Sequence, residues 1–143
     1  MKNWIITAVI LFLLFFLYLI WGEFNEQDLG DNYYYLPKYE ALDIGFPDGA
    51  IIYKSVQRNV FSDVKIQKNV VCVIKNKEFI IAIREDDSLN INNANSKSID
   101  SSYLHYYIIV KKTDVIYGPL SRNEYLKKRK VLKIPDNLKF KYK

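Results

Sequence analysis

The chain has 143 residues, of which 50% are hydrophobic, and it carries a formal net charge of +5 at pH 7. A chain of this length builds one ordinary hydrophobic core and is too short for two comfortable domains. Its single cysteine, Cys72, and single histidine, His105, exclude an intrachain disulfide framework and a histidine metal cluster.

An apolar run extends from Trp4 to Trp21, and Thr7 is its only break. As a helix this run would reach about 27 Å, close to the roughly 30 Å hydrocarbon core of a bilayer. Lys2 precedes the run and acidic residues follow Glu23, which predicts a cytoplasmic N-terminus and an external remainder. We therefore predict a single-pass protein of the cytoplasmic membrane that contacts the lipid bilayer through Trp4 to Trp21.

The competing interpretation is a cleaved signal peptide, which would leave a secreted or periplasmic protein. Signal peptides have shorter apolar cores and end at small residues, whereas Ile20 stands two positions before Gly22 here. The sequence favours a membrane anchor or uncleaved signal over 1–22, a tether over 23–32 and an exported domain over 33–143. Both interpretations export the domain.

Segments rich in β-branched and aromatic residues predict short strands in the exported part. They lie at 33–36, 50–54, 60–67, 70–74, 79–83, 106–110 and 115–117. The segments 70–74 and 79–83 are apolar throughout, which predicts central strands covered on both faces. The polar segment 84–102 predicts a surface loop, and Gly118 and Pro119 are expected to stop the sheet.

The strongest local signal marks a C-terminal helix over 122–132. Ser121 lies three residues before Glu124, which predicts a capping box. Leu120 and Tyr125 are spaced for a hydrophobic staple across the same helix start. Strands followed by one helix predict an α+β fold. After the N-terminal membrane helix we expect a small antiparallel β-sheet domain with this helix packed on it.

Several short segments of the exported part carry a family resemblance. They are 28–30 (Asp-Leu-Gly), 33–37 (Tyr-Tyr-Tyr-Leu-Pro), 43–45 (Asp-Ile-Gly), 51–53, 79–82, 107–114 and 117–120. Together they resemble a family of small exported bacterial proteins of unknown function, whose members are often lipoproteins. This chain departs from the lipoprotein pattern because no cysteine directly follows its apolar run. The resemblance implies a bacterial envelope protein and brings no activity and no catalytic residues.

Residues with catalytic potential do not form a known motif in this sequence. His105 would have to be the base of a Ser-His-Asp triad, but no Gly-x-Ser-x-Gly elbow occurs. Cys72 lies in an apolar run, which predicts a small buried hydrophobic residue. Glycine-rich phosphate loops and dinucleotide fingerprints are absent as well. We therefore predict no catalytic, cofactor-binding or metal-binding residues.

Tyrosine is frequent, with 12 residues in the chain. Tyrosines line carbohydrate and peptide sites because their rings stack while their hydroxyl groups stay wet. They also suit a pleated sheet with one face exposed. If a binding face exists, the sequence places it at Tyr33, Tyr35, Tyr53 and Tyr107.

A basic cluster near the C-terminus comprises Lys127, Lys128, Arg129 and Lys130. In a cytosolic protein this cluster would indicate nucleic-acid binding. Outside the membrane that partner is lost, so no nucleic-acid partner is predicted. The two remaining interpretations are contact with anionic lipid head groups or envelope polymers, and a solvated helix face.

The sequence thus predicts a non-enzymatic, membrane-anchored envelope protein without a cofactor. Its exported domain is expected to bind another envelope protein or a polymer. Two alternatives stay open: a small envelope hydrolase with a dispersed Asp, Glu and Tyr site, and an immunity or inhibitor protein whose rigid β-domain blocks a partner.

Overall fold

A computed structural model describes residues 12–13, 27–86 and 103–140 of the chain. Phe12 and Leu13 are helical and exposed. In the rest of the described part the elements follow in the order β1 (Gln27–Gly30), β2 (Tyr33–Leu36), α1 (Lys38–Asp43), β3 (Ile51–Lys54), β4 (Val64–Ile66), β5 (Val70–Lys75), β6 (Phe79–Glu85), β7 (Leu104–Val110), β8 (Val115–Leu120) and α2 (Arg122–Val131).

The strands form two antiparallel sheets of four strands each, where the sequence predicted one sheet. The first sheet has the order β1-β2-β3-β4 and the second the order β5-β6-β7-β8. The chain changes sheets at Lys68 and Asn69, whose φ angles of 66° and 42° are left-handed. Strands β4 and β5 therefore flank a turn without pairing as a hairpin, a difference that the sequence pattern does not reveal.

The two sheets pack face to face around one apolar core. Alternate residues of each strand point to opposite faces, and the inward set includes Leu29, Ile52, Ile66, Ile80 and Ile109. All five side chains are almost completely buried. The space between the sheets is therefore the main core of the domain.

Each sheet is also covered on its outer face. The helix α2 and the segment after it pack on the second sheet, in a cluster that joins Ile81 and Ile108 to Tyr125 and Leu138. The short helix α1 covers the first sheet through Ala41, which is fully buried. We did not predict α1 because six residues form too short a helix to be stable without tertiary contacts.

The apolar run of β6 has the predicted environment, and that of β5 does not. Residues Phe79 to Ile83 of β6 are all buried, with neighbouring strands on both sides. By contrast, β5 is an edge strand, in which Val71 is 52% exposed and Cys72 is only partly buried. An apolar run does not distinguish an edge strand from a central one when the sheet is covered on both faces.

Strand β8 continues through Gly118 and Pro119, which are joined by a cis peptide bond. The prediction that these residues stop the sheet is therefore wrong. Because β8 lies at the edge of its sheet, a proline without an N–H group is tolerated there. The predicted helix start is confirmed: Ser121 and Glu124 form a complete capping box, and α2 begins at Arg122.

The N-terminal predictions fall largely outside the described residues. Of the apolar run from Trp4 to Trp21, the structure describes Phe12 and Leu13 only, and 87–102 of the predicted loop are not described. No helix within the described ranges is long and apolar enough to cross a membrane. The stretch predicted as a tether, 23–32, contributes strand β1 from Gln27.

Candidate functional site

The four tyrosines singled out by the sequence do not form an exposed face. Tyr33 and Tyr53 are fully buried, and Tyr107 is 7% exposed. Tyr33, Tyr107 and the partly buried Tyr35 pack between the sheets, while Tyr53 packs on the outer side of the first sheet. These four tyrosines thus belong mainly to the apolar clusters of the domain, and they match neither an exposed binding face nor a sheet with one face exposed.

The basic cluster of α2 divides into surface lysines and one buried arginine. The guanidinium of Arg129 is the buried group: Nη1 donates to the Tyr125 hydroxyl at 2.8 Å and to the Leu138 carbonyl at 2.6 Å, and Nη2 donates to the Pro135 carbonyl at 3.0 Å. Arg129 is 8% exposed. It holds the C-terminal segment against α2, so it is not available as a contact for an anionic surface.

The lysines of this cluster remain accessible to solvent. Lys127 and Lys130 are exposed. Lys128 is partly buried, with its Nζ 4.4 Å from the centre of the Tyr117 ring, a distance typical of a cation–π contact. Only these three members of the predicted set are placed to meet a partner.

The most extensive polar network joins the two sheets at Asp114. This residue lies in the turn between β7 and β8, with a left-handed φ of 56°. Its Oδ1 accepts a hydrogen bond from the Tyr33 hydroxyl. Its Oδ2 lies 3.2 Å from Lys54 Nζ and 3.0 Å from Lys65 Nζ. Lys65 also pairs with Asp63 at 2.9 Å.

Neighbouring groups shift the pKa values of Asp114 and Tyr33 in opposite directions. Burial alone would raise the pKa of Asp114, but the hydrogen bonds from Tyr33, Lys65 and Lys54 outweigh it and lower the pKa to about 2. Burial and the hydrogen bond to Asp114 raise the pKa of Tyr33 well above its ordinary value. Asp114 is thus fully ionised at neutral pH and is a poor general base, because catalytic bases titrate near the working pH.

A groove of about 570 Å³ opens beside the turn between β1 and β2. Its cationic side chains are Lys75, Lys77 and Lys111, and its acidic one is Asp31. We call this feature the lysine groove. The three lysines come from the end of β5, the β5–β6 turn and the β7–β8 turn, so the second sheet supplies all of them.

Lys111 is the buried member of the lysine groove. It is 7% exposed, and its Nζ donates to the Leu29 carbonyl of β1. Lys75 Nζ donates to the neighbouring Asp28 carbonyl. Burial lowers the pKa of Lys111, and the nearby charge of Lys75 lowers it further, while Asp31 and Asp28 act in the opposite direction.

Sequence reasoning missed Lys111, although the sequence contains a signal for it. In a strand, positions two apart share a face, so Lys111 continues the inward set of Tyr107 and Ile109. A lysine that shares a strand face with two core residues is expected to have a buried aliphatic chain. Its amine then has a structural or functional role. The glycine at Gly30 provides its space, because a Cβ there would lie 3.0 Å from Lys111 Nζ.

The remaining candidate residues are dispersed. His105 Nε2 lies 3.5 Å from Asp86 Oδ2, and burial raises the pKa of the Cys72 thiol, which disfavours the nucleophilic thiolate. Within 27–86 and 103–140, no three His, Cys, Asp or Glu side chains are grouped so that they could hold a metal ion.

Together, the fold and these sites define a small α+β domain: two antiparallel four-stranded sheets, covered by helices, with a lysine-lined groove at one end. The chain belongs to the family described as "Protein of unknown function (DUF3997)", whose model matches residues 31–143. The resemblance to a family of unknown function is confirmed in this form. Among curated proteins and among solved structures, no match to the chain was found.

Proposed function

We propose that this protein is a non-enzymatic envelope protein, anchored in the cytoplasmic membrane through Trp4 to Trp21. Its domain lies outside the membrane and binds another envelope protein or a polymer. The apolar run and the preceding Lys2 support this location through the positive-inside rule. The spacing also supports it, because few residues separate Trp21 from the first strand at Gln27, which keeps the domain near the bilayer.

The main observation behind the proposed binding role is that Asp114 has a structural role. Its carboxylate forms ion pairs with two lysines and accepts a hydrogen bond from a tyrosine, and its pKa of about 2 removes it from acid–base chemistry near neutral pH. Cys72 is disfavoured as a nucleophile because burial raises the pKa of its thiol. Asp114 thus acts in holding the two sheets together, while the lysine groove stays open to solvent.

Fractionation of cells that produce the full-length chain tests the location. We expect the protein in the membrane fraction, released by detergent and not by high salt, with a mass that includes Met1. Protease added to the outer side should remove the domain. Recovery of the full-length protein from the soluble cytosol would overturn the proposal.

A second measurement tests the absence of catalysis. The purified full-length protein in detergent is incubated with envelope polymers, and the products are analysed by mass spectrometry. We expect no turnover above that of a heat-denatured sample. Turnover that disappears in Asp114→Asn, in a variant whose circular dichroism spectrum is unchanged, would contradict a purely binding role.

A further inference from the structure

We propose that the lysine groove is an anion-binding site for the phosphate groups of an envelope polymer. This inference specifies the ligand chemistry of the proposed function. It rests on the proposed function only for the location outside the membrane, where the protein would contact the polymer. The lining carries three lysines against the single carboxylate of Asp31.

The ammonium donors of the lysine groove come from three separate positions of the second sheet. Lys75, Lys77 and Lys111 approach from a strand end and two separate turns. Each ammonium has three N–H donors, and the hydrogen bonds of Lys75 and Lys111 to β1 each use one. All cationic side chains among the described lining residues are lysines. Lysine binds phosphate as a point charge.

Lys111 gives the site a fixed centre. Its side chain is only 7% exposed, so it has already lost most of the rotamer freedom that an exposed lysine would lose on binding a ligand. The described carboxylates form no ion pair with it, and its hydrogen bond goes to the neutral Leu29 carbonyl. A buried cation without a paired anion is unfavourable, and a bound phosphate would supply the missing charge.

Gly30 shapes the floor of the groove. Its φ of 83° lies in the left-handed region that favours glycine, and any Cβ would meet Lys111 Nζ at 3.0 Å. The Asp28 carboxylate is directed to the Gly30 amide at 2.7 Å. That hydrogen bond holds the Asp28 carboxylate against the backbone of the β1–β2 turn, so Asp31 is the acidic side chain that lines the groove.

The groove lies away from the residue at which the described domain begins. The chain enters the described domain at Gln27, and β1 carries it to Gly30 at the groove. This strand covers about 10 Å. The groove therefore lies at the end of β1 that is opposite to the arriving chain.

The test uses the full-length protein in detergent micelles and measures binding of linear polyphosphate by calorimetry. Lys75→Gln/Lys77→Gln removes two exposed groove lysines. Lys127→Gln/Lys130→Gln is the matched control, because it removes the same charge from exposed positions on α2. We expect the groove variant to bind polyphosphate about tenfold more weakly, in line with the loss of charge-assisted hydrogen bonds, and the control variant to bind as the unchanged protein does. Equal losses in the two variants would overturn the site, since they would show attraction to net charge alone.

Two further arms define the ligand and the role of Lys111. Polyglutamate of matched charge is expected to bind more weakly than polyphosphate, and equal binding would overturn the phosphate assignment. Binding that occurs only to vesicles with anionic lipid, and not to polyphosphate, would overturn the polymer assignment. Because Lys111→Gln risks unfolding and the buried Lys111 amine is shielded from labelling reagents, the NMR signal of its Nζ replaces the substitution: polyphosphate should shift the Lys111 signal and leave that of Lys130 unchanged, and an unshifted Lys111 signal would contradict its central position.

These outcomes are separable from a failure of the proposed function. A cytosolic location would overturn the membrane proposal and leave the polyphosphate measurement intact. Loss of specific polyphosphate binding would overturn the lysine groove and leave the fractionation result intact.

Discussion

Tyr33 in the first sheet donates its phenolic hydrogen to Asp114 in the second sheet, a partner 81 residues away in sequence. The same carboxylate lies within 3.2 Å of Lys54 Nζ and 3.0 Å of Lys65 Nζ. One turn of the second sheet is thereby tied to β2, β3 and β4 of the first. The stability of the sandwich should depend on the charge of this single side chain.

Replacement of Asp114 by Asn is expected to reduce the dependence of the free energy of unfolding on pH in the acid range. The folded pKa of Asp114 is about 2 and its ordinary value is 3.8, so its contribution is present above pH 3.8 and is lost as the pH falls through 2. The side chain is 38% exposed, and after allowance for solvent screening we expect a loss of about 1 kcal/mol at pH 7.

Urea unfolding of both proteins at a series of pH values measures this effect. The control is Asp136→Asn, since Asp136 is 93% exposed in its pair with Lys139. A variant at Asp114 that keeps the acid dependence of the unchanged protein would refute the assignment.

Replacement of Arg129 by Met should release the segment after α2. The change leaves the Tyr125 hydroxyl and the Leu138 and Pro135 carbonyls without their donor. We expect a loss of about 2–4 kcal/mol in the free energy of unfolding, together with faster amide exchange over 132–140. Lys130→Met, at an exposed neighbouring position, should change neither quantity, and comparable effects at the two positions would show that Arg129 has no special role.

Replacement of Ser121 by Ala should loosen the start of α2. The Ser121 Oγ accepts from the Glu124 amide at 3.4 Å, and the Glu124 carboxylate accepts from the Ser121 amide at 2.8 Å. Loss of such a cap costs about 1 kcal/mol. Thermal unfolding and amide exchange in the first turn of α2 measure the change, with the exposed Asn123→Ala as a control. An unchanged unfolding temperature would mean that the capping box adds nothing to stability.

Replacement of Gly118 by Ala should be among the most damaging single changes in β8. A Cβ at this position would lie 2.4 Å from Tyr107 Cδ1 and 2.9 Å from the Tyr106 carbonyl oxygen. Gly45→Ala is the matched control, because Gly45 also has a positive φ, 97°, but has nothing within 4 Å of the added atom.

We expect roughly 1 kcal/mol of destabilisation for the Gly45 control from backbone strain alone. The Gly118 variant should lose more than about 3 kcal/mol, because a core ring and a backbone carbonyl must both move. Equal values for the two variants in urea unfolding would contradict the close packing of Gly118 on Tyr107.

The sequence predicted the features that depend on local pattern. The β-branched segments became strands, and Ser121 with Glu124 marked the start of α2, because propensity and capping act within a few residues. The separation into two sheets depends on left-handed backbone at Lys68 and Asn69. Asparagine favours such a conformation and marks a turn, but whether the strands on either side of a turn pair with each other is decided by tertiary packing, so this separation was not predictable.

The candidate site was less predictable because burial is decided by tertiary packing. Arg129 lies four residues after Tyr125 and therefore on the same face of α2, a spacing that distinguishes it from the exposed Lys127 and Lys130. Lys111 continues the inward set of β7 for the analogous reason. The network around Asp114 joins residues from distant parts of the chain, and nothing in the local sequence brings them together.

The order of strands in the two sheets also determines when a growing polypeptide can hide its apolar surfaces. The first sheet is complete at Ile66, yet its inner face has no cover until β6 and β7 have been made. A truncated product that ends between these two strands would carry β6 as an unpaired apolar edge, and such edges promote aggregation. Premature termination in this region is therefore expected to give insoluble material instead of an independently folded half.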